Sequence, residues 1–201
     1  MEEKMNRRFT KQNIYKNKEI QIPEEGQADV RILESIEDTI DKAMDEGAGK
    51  MVVYDVILPR QYASQENKNL IFSSFQADLC KCQKRLDGAV CAPRYIAVRD
   101  RFAESPVYKV AMFLPVDSKF EKEHFEDKGR YVMDGKLKDW TAYRNHDLMA
   151  ICEKHGVAVR DVVPLDSGNE ETRNEAFYCA SKLAAVKVEP KAERTMFRSK
   201  R

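Results

Sequence analysis

Residues 51–58, Met-Val-Val-Tyr-Asp-Val-Ile-Leu, form an apolar run rich in Val and Ile that ends at Pro59. β-branched and aromatic side chains favour extended backbone, and a strand that is apolar at successive positions needs cover on both faces. The run therefore reads as a buried strand, and the periods around it supply the cover. Upstream, Val30, Leu33, Ile36, Ile40 and Met44 recur every three or four residues, which places one apolar stripe on a helix that stops near Gly47 and Gly49. Downstream, Ile71, Phe75, Leu79, Cys82 and Leu86 mark a second helix closed by Asp87-Gly88. Tyr95–Arg99 and Val107–Leu114 read as strands joined by a turn containing Glu104, Ser105 and Pro106, a connection short enough to require an antiparallel hairpin. Leu148, Ile151 and Cys152 mark a helix ending at His155-Gly156, and Val157–Val163 a strand closed by Pro164. Ser167 or Asn169 can cap a last helix through Ala176, Phe177, Ala180 and Leu183.

From residue 51 to 163 the order is strand, helix, strand, strand, helix, strand. This is the split βαβ order (βαββαβ) of a ferredoxin-like α+β domain with an antiparallel sheet, here flanked by N- and C-terminal helices. The expected organisation is a flexible basic arm over 1–28, one domain over 29–186 and a basic tail over 187–201. Residues 117–145 are read as an irregular insertion carrying Phe120, Phe125, Tyr131, Trp140 and Tyr143. Its aromatic density suits either an interface or packing onto its own domain. No internal repeat is present.

The net charge of +1 hides an asymmetry: residues 1–18 carry six Lys/Arg against two Glu, and residues 182–201 carry seven against two. The stretch between is acidic, so the body lacks the basic footprint of a nucleic-acid binder and only the tails have it. No run approaches the roughly 18 apolar residues of a membrane span, and the N-terminus lacks the apolar core of a signal peptide. A cytoplasmic location in a bacterial host, without membrane attachment, is expected. Five cysteines without framework spacing predict reduced thiols. Cys80, Cys82 and Cys91 have no zinc spacing, and His124, His146 and His155 lie far from them in sequence. Cys152 with His155 has the spacing of a Cys/His pair but no oxyanion-hole signature, and phosphate-binding and hydrolase motifs are absent from the sequence.

Arg94-Tyr-Ile-Ala-Val-Arg-Asp100, followed after a turn by Ser105-Pro-Val-Tyr-Lys-Val-Ala-Met-Phe-Leu114, resembles the metal-bearing hairpin of rolling-circle replication initiators of the inovirus and prophage YfjJ/YagK type, which are HUH endonucleases. Gly49 to Pro59 is similar to the family's first strand, with Asp55 at its acidic position. Ala180-Ser-Lys-Leu-Ala-Ala185 and Arg194–Arg201 resemble its closing blocks. The resemblance covers roughly residues 35–201 and implies the same ferredoxin-like HUH-type domain.

The resemblance also implies that the catalytic residues are replaced. Where the family has two His at i and i+2 on a strand, placed to grip a divalent ion, this chain has Val107 and Lys109. Where the family has its nucleophilic Tyr and assisting Lys, this chain has Lys182 and Ala185. A one-turn shift would offer Tyr178 as nucleophile beside Lys182, against its plainer reading as a packing residue next to Phe177. Asp55 and Asp100 are weak candidates for Mg²⁺ or Mn²⁺; an Asp–Lys109 pair in place of the metal is the competing expectation.

Three functions follow from this reading. The first is a phage- or mobile-element-encoded, catalytically inactive initiator relative that binds DNA or an origin, with Lys182, Lys187, Arg194, Arg198 and Arg201 on phosphates. The second is a protein-interaction factor acting on a phage or host protein, such as an inhibitor, an adaptor or a capsid-directing protein of a phage satellite. The third is a nickase with an unconventional site. No cofactor is expected beyond Mg²⁺ or Mn²⁺ at Asp55 and Asp100.

Overall fold

The computed structural model describes residues 9–24, 26–58, 60, 69–89, 92–100, 106–119, 156–186 and 196–198. Four short strands, β1 (Phe9–Thr10), β2 (Ile14–Tyr15), β3 (Lys18–Glu19) and β4 (Gln27–Asp29), lead into helix α1 (Val30–Asp45). Asp29 caps α1 by accepting from the Arg31 backbone N–H at 3.0 Å, which satisfies one of the orphan donors of the first turn. After the turn at Gly47, whose φ of +84° suits a residue without Cβ, come β5 (Ala48–Ile57), α2 (Leu70–Asp87), β6 (Arg94–Asp100), β7 (Val107–Pro115), β8 (Gly156–Pro164), α3 (Glu170–Ser181), β9 (Ala185–Val186) and β10 (Met196–Arg198).

The chain is a mixed α/β protein with antiparallel sheets. Its main sheet has the order β10-β6-β7-β5-β8 with every neighbouring pair antiparallel; β1, β4 and β9 form a second, small sheet, and β2 with β3 a hairpin. The central strand β5 is covered on both faces, as its composition requires. Val52, Tyr54 and Val56 pack with Phe72, Phe75 and Leu79 of α2, while Met51 and Val53 pack with Leu33, Ile36 and Ile40 of α1 and Ala176, Phe177 and Ala180 of α3. At its start β5 breaks register between Ala48 and Lys50. A Cβ on Gly49 would lie 2.3 Å from Val116 Cα, so the close backbone approach there requires glycine.

Helix α2 runs where the periodicity places it, but its buried stripe is turned. Phe72, Gln76, Cys80 and Gln83 join Ile71, Phe75 and Leu79 inside, while Leu86 is exposed and Cys82 only partly covered. Two contacts set this rotation. Phe72 stacks flat on Tyr108 with ring centroids 4.0 Å apart, and the fully buried Tyr54 hydroxyl donates to Gln76 Oε1 at 2.7 Å. A buried hydroxyl needs a partner, so a polar side chain occupies the stripe.

The leader expected as a flexible arm differs too. Within the described residues Ile20 is 3% exposed in the core under α1 and α3, Gln27 and Ala28 are buried, and Lys18 Nζ reaches Glu37 at 2.7 Å. The leader lacks sustained periodicity because its short strands each contribute single anchors, and such anchors leave no periodic signal. The turn at 101–105, the insertion after residue 119, and the helix over 148–155 with Cys152 and His155 lie outside the described residues, as do Cys91, His124 and His146.

Candidate functional site

The last residues of β5 and β6 and the first of β7 meet at one end of the main sheet. Asp55 stands directly opposite Lys109, and Val107 directly opposite both Ile57 and Asp100. Opposed residues, and residues two apart on a strand, share a face. Asp55, Asp100, Val107 and Lys109 therefore all lie on the α1/α3 face of the sheet, the face that carries Val53, Val98 and Ala111.

On the other side of β5, strand β8 carries a bulge: Val53 pairs with Asp161 and Tyr54 with Val159, leaving Arg160 without a partner in the ladder. The bulge brings Arg160 to Asp55, where its Nε donates to Oδ2 at 2.8 Å. Above the sheet, α3 is capped by Asn169, whose side chain accepts from the Glu171 backbone N–H at 2.9 Å. The helix ends in a tight turn in which the backbone N–H groups of Leu183 and Ala184 bond back to Ala180 and Ser181. That turn buries Leu183 and Ala184 and leaves Lys182 to pair with Asp161 at 2.9 Å. Ser181 Oγ accepts from the Gln21 backbone N–H at 2.8 Å, which holds leader residues 21–23 beside this end of the sheet.

These elements border an open cavity of about 380 Å³ lined by Asp55, Lys109, Arg160, Lys182 and Ala185, with Gln21, Ile22 and Pro23 along one wall. Four sequence candidates thus meet in one place: Asp55, Lys109, Lys182 and Ala185. Val107 lies next along its strand without lining the cavity. Tyr178, one turn before Lys182, is 40% exposed and does not line it either. Arg198 is across the sheet on β10, paired with Asp38 at 3.0 Å. Lys187, Arg194 and Arg201 lie outside the described residues.

The sequence reading missed Arg160. Its signal is the adjacent polar pair Arg160-Asp161 inside the otherwise apolar strand 157–163, which interrupts the alternation as a bulge does.

Among the described residues three ion pairs hold the charges of the site: Arg160–Asp55 at 2.8 Å, Lys182–Asp161 at 2.9 Å and Lys109–Asp100 at 3.9 Å. The last exceeds hydrogen-bond distance, so Lys109 is the most loosely held of the three cations. The expected Asp–Lys109 pair forms with Asp100, while Asp55 is taken by Arg160. The residues present do not fit a divalent ion: Val107 has no lone pair to offer, Lys109 places an ammonium on the face that carries Asp55 and Asp100, and Arg160 occupies an Asp55 oxygen. Among the described residues no group of three or more His, Cys, Asp or Glu is placed to hold a metal. Cys80 is buried beside Gln76, and burial pushes its thiol up to about 12, which suits packing rather than ligation.

No protein-family model, curated protein or solved structure matches this chain. No helix among the described residues is long and apolar enough to cross a membrane.

Proposed function

We propose that the protein is a non-cleaving relative of the rolling-circle replication initiators, carried by a phage or other mobile element, that holds DNA through its phosphates. One observation carries this reading. Asp55, Lys109, Lys182 and Ala185, which the resemblance assigns to the acidic strand, the metal strand and the nucleophile helix, line the same cavity although they are scattered along the sequence. Convergence of residues so far apart in the sequence supports the reading. The strand order β8-β5-β7-β6, fourth-first-third-second, supports a ferredoxin-like HUH-type domain.

The chemistry of the lining favours binding over cutting. Strand-transfer nicking needs a nucleophilic hydroxyl and a Lewis acid at the phosphate. Here the lining offers, beside Asp55, ammonium and guanidinium groups that can exchange a carboxylate partner for a phosphate and donate to its oxygens. The test is an anisotropy titration of labelled hairpin and single-stranded DNA at two salt concentrations with Mn²⁺ present, with the endpoint run on a denaturing gel. Salt-sensitive binding with intact strands supports the reading. A cleaved strand bearing a covalent adduct overturns it.

The acidic body favours a second reading, a protein-interaction factor, because negative charge away from the cavity repels DNA. That role requires a specific partner whose co-purification survives nuclease, together with no DNA binding at low salt.

A further inference from the structure

We infer that the cavity between β5, β7, β8 and α3 is a receptor for a phosphomonoester, the phosphorylated end of a nucleic-acid strand, bound without a metal; this deepens the DNA-binding reading and rests on it. Lys109 comes from β7, Arg160 from the bulge of β8 and Lys182 from the turn after α3, so three cationic groups arrive from three separate elements. A terminal phosphate offers three acceptor oxygens and a charge of about −1.5 to −2 at neutral pH. An internal phosphodiester offers two unesterified oxygens and a single charge.

The acids in the site sharpen this preference. Each cation already has a carboxylate partner, Asp100, Asp55 or Asp161, so the three pairs are formally neutral and any anion must compete with them. Each carboxylate that is displaced must be replaced by a ligand oxygen, so the three oxygens of a terminal phosphate can take over all three cations where the two of a diester cannot. Entry begins at Lys109, whose pair is the longest at 3.9 Å. Around the cations, Ile22, Pro23, Leu183 and Ala185 give an apolar wall for the sugar and base behind the phosphate, and about 380 Å³ lies within the range of small-ligand sites.

The test uses the full chain with one single-stranded oligonucleotide carrying an internal dye, prepared with a 5′-phosphate, with a 3′-phosphate, or with hydroxyls at both ends. Affinities are measured by anisotropy at low salt in EDTA, with inorganic phosphate as competitor. One phosphorylated form is expected to bind about tenfold tighter than the hydroxyl form, with inorganic phosphate removing the difference. Lys109→Met and Arg160→Met, each checked for folding by thermal melt, are expected to abolish the preference. The wild-type comparison decides the matter even where a variant fails to fold. Equal affinity for all three forms overturns the phosphomonoester site while leaving phosphodiester binding intact. Absence of binding by every form overturns both.

Discussion

Arg160 reaches Asp55 only because β8 carries one residue more than the stretch of β5 it faces. The bulge removes Arg160 from the ladder and gives its Nε a 2.8 Å bond to Asp55 Oδ2. The same carboxylate stands opposite Lys109, so one acid lies between two cations at the cavity floor. Such a carboxylate acts as an internal competitor for any anionic ligand.

Asp55→Asn is therefore expected to raise affinity for phosphorylated oligonucleotide, by about fivefold, since it frees Arg160 without changing the shape of the floor. Stability should move by no more than about 1 kcal/mol, because the Arg160 side chain is 53% exposed and water screens the pair. Anisotropy and urea unfolding measure the two effects. Lost affinity in this variant would mean that Asp55 serves binding directly, and the competitor role would fall.

Val107→His combined with Lys109→His places two imidazoles two residues apart on the face that carries Asp55. This double variant is expected to gain a Mn²⁺- or Co²⁺-dependent rise in melting temperature absent from the wild type. At metal concentrations 100-fold above the dissociation constant the gain is about 2.7 kcal/mol. A melting temperature indifferent to either ion would remove the assignment of this strand to the metal position.

Ile20→Ala tests the docking of the leader. Ile20 is buried under α1 and α3, and truncating an isoleucine in a packed core costs about 2–5 kcal/mol. Urea unfolding should show that loss. A change within about 0.5 kcal/mol, the usual range for a surface position, would mean that the leader is a free arm in solution.

Cys80 makes stability depend on alkaline pH. Burial raises its thiol from an ordinary 9.0 to about 12, so above pH 9 the unfolded chain releases a proton that the folded chain keeps. The unfolded state then binds fewer protons, and stability falls as pH rises from about 9 to 12. The slope from this group approaches about 1.4 kcal/mol per pH unit. Urea midpoints between pH 8 and 11 should drop more steeply in wild type than in Cys80→Ala, because the variant loses both the thiol and its smaller upward push on Tyr54, which burial alone still raises. Identical slopes would show that Cys80 ionises as freely in the folded chain as in the unfolded one.

The sequence by itself determined the three helices and the strands β5 to β8 of the described core and their order. The stripe from Val30 to Met44 became α1, the run from Met51 became β5, and the cap at Asn169 began α3. These are short-range matters, in which the period of apolar side chains and the bonding of the first helical N–H groups involve residues within a turn or two of each other. Tertiary structure decided how far the buried stripe of α2 is turned beyond Ile71, Phe75 and Leu79, because Tyr108 and Tyr54 lie on strands distant in sequence and demanded Phe72 and Gln76 as partners. It likewise decided the bulge at Arg160, the burial of Ile20 and the meeting of Asp55, Lys109 and Lys182 around one cavity. The resemblance named Asp55, Lys109, Lys182 and Ala185 but could not show that they touch a common space. Strand register and the seat of a helix end depend on hydrogen bonds and packing between segments far apart in the chain, and no local pattern encodes those.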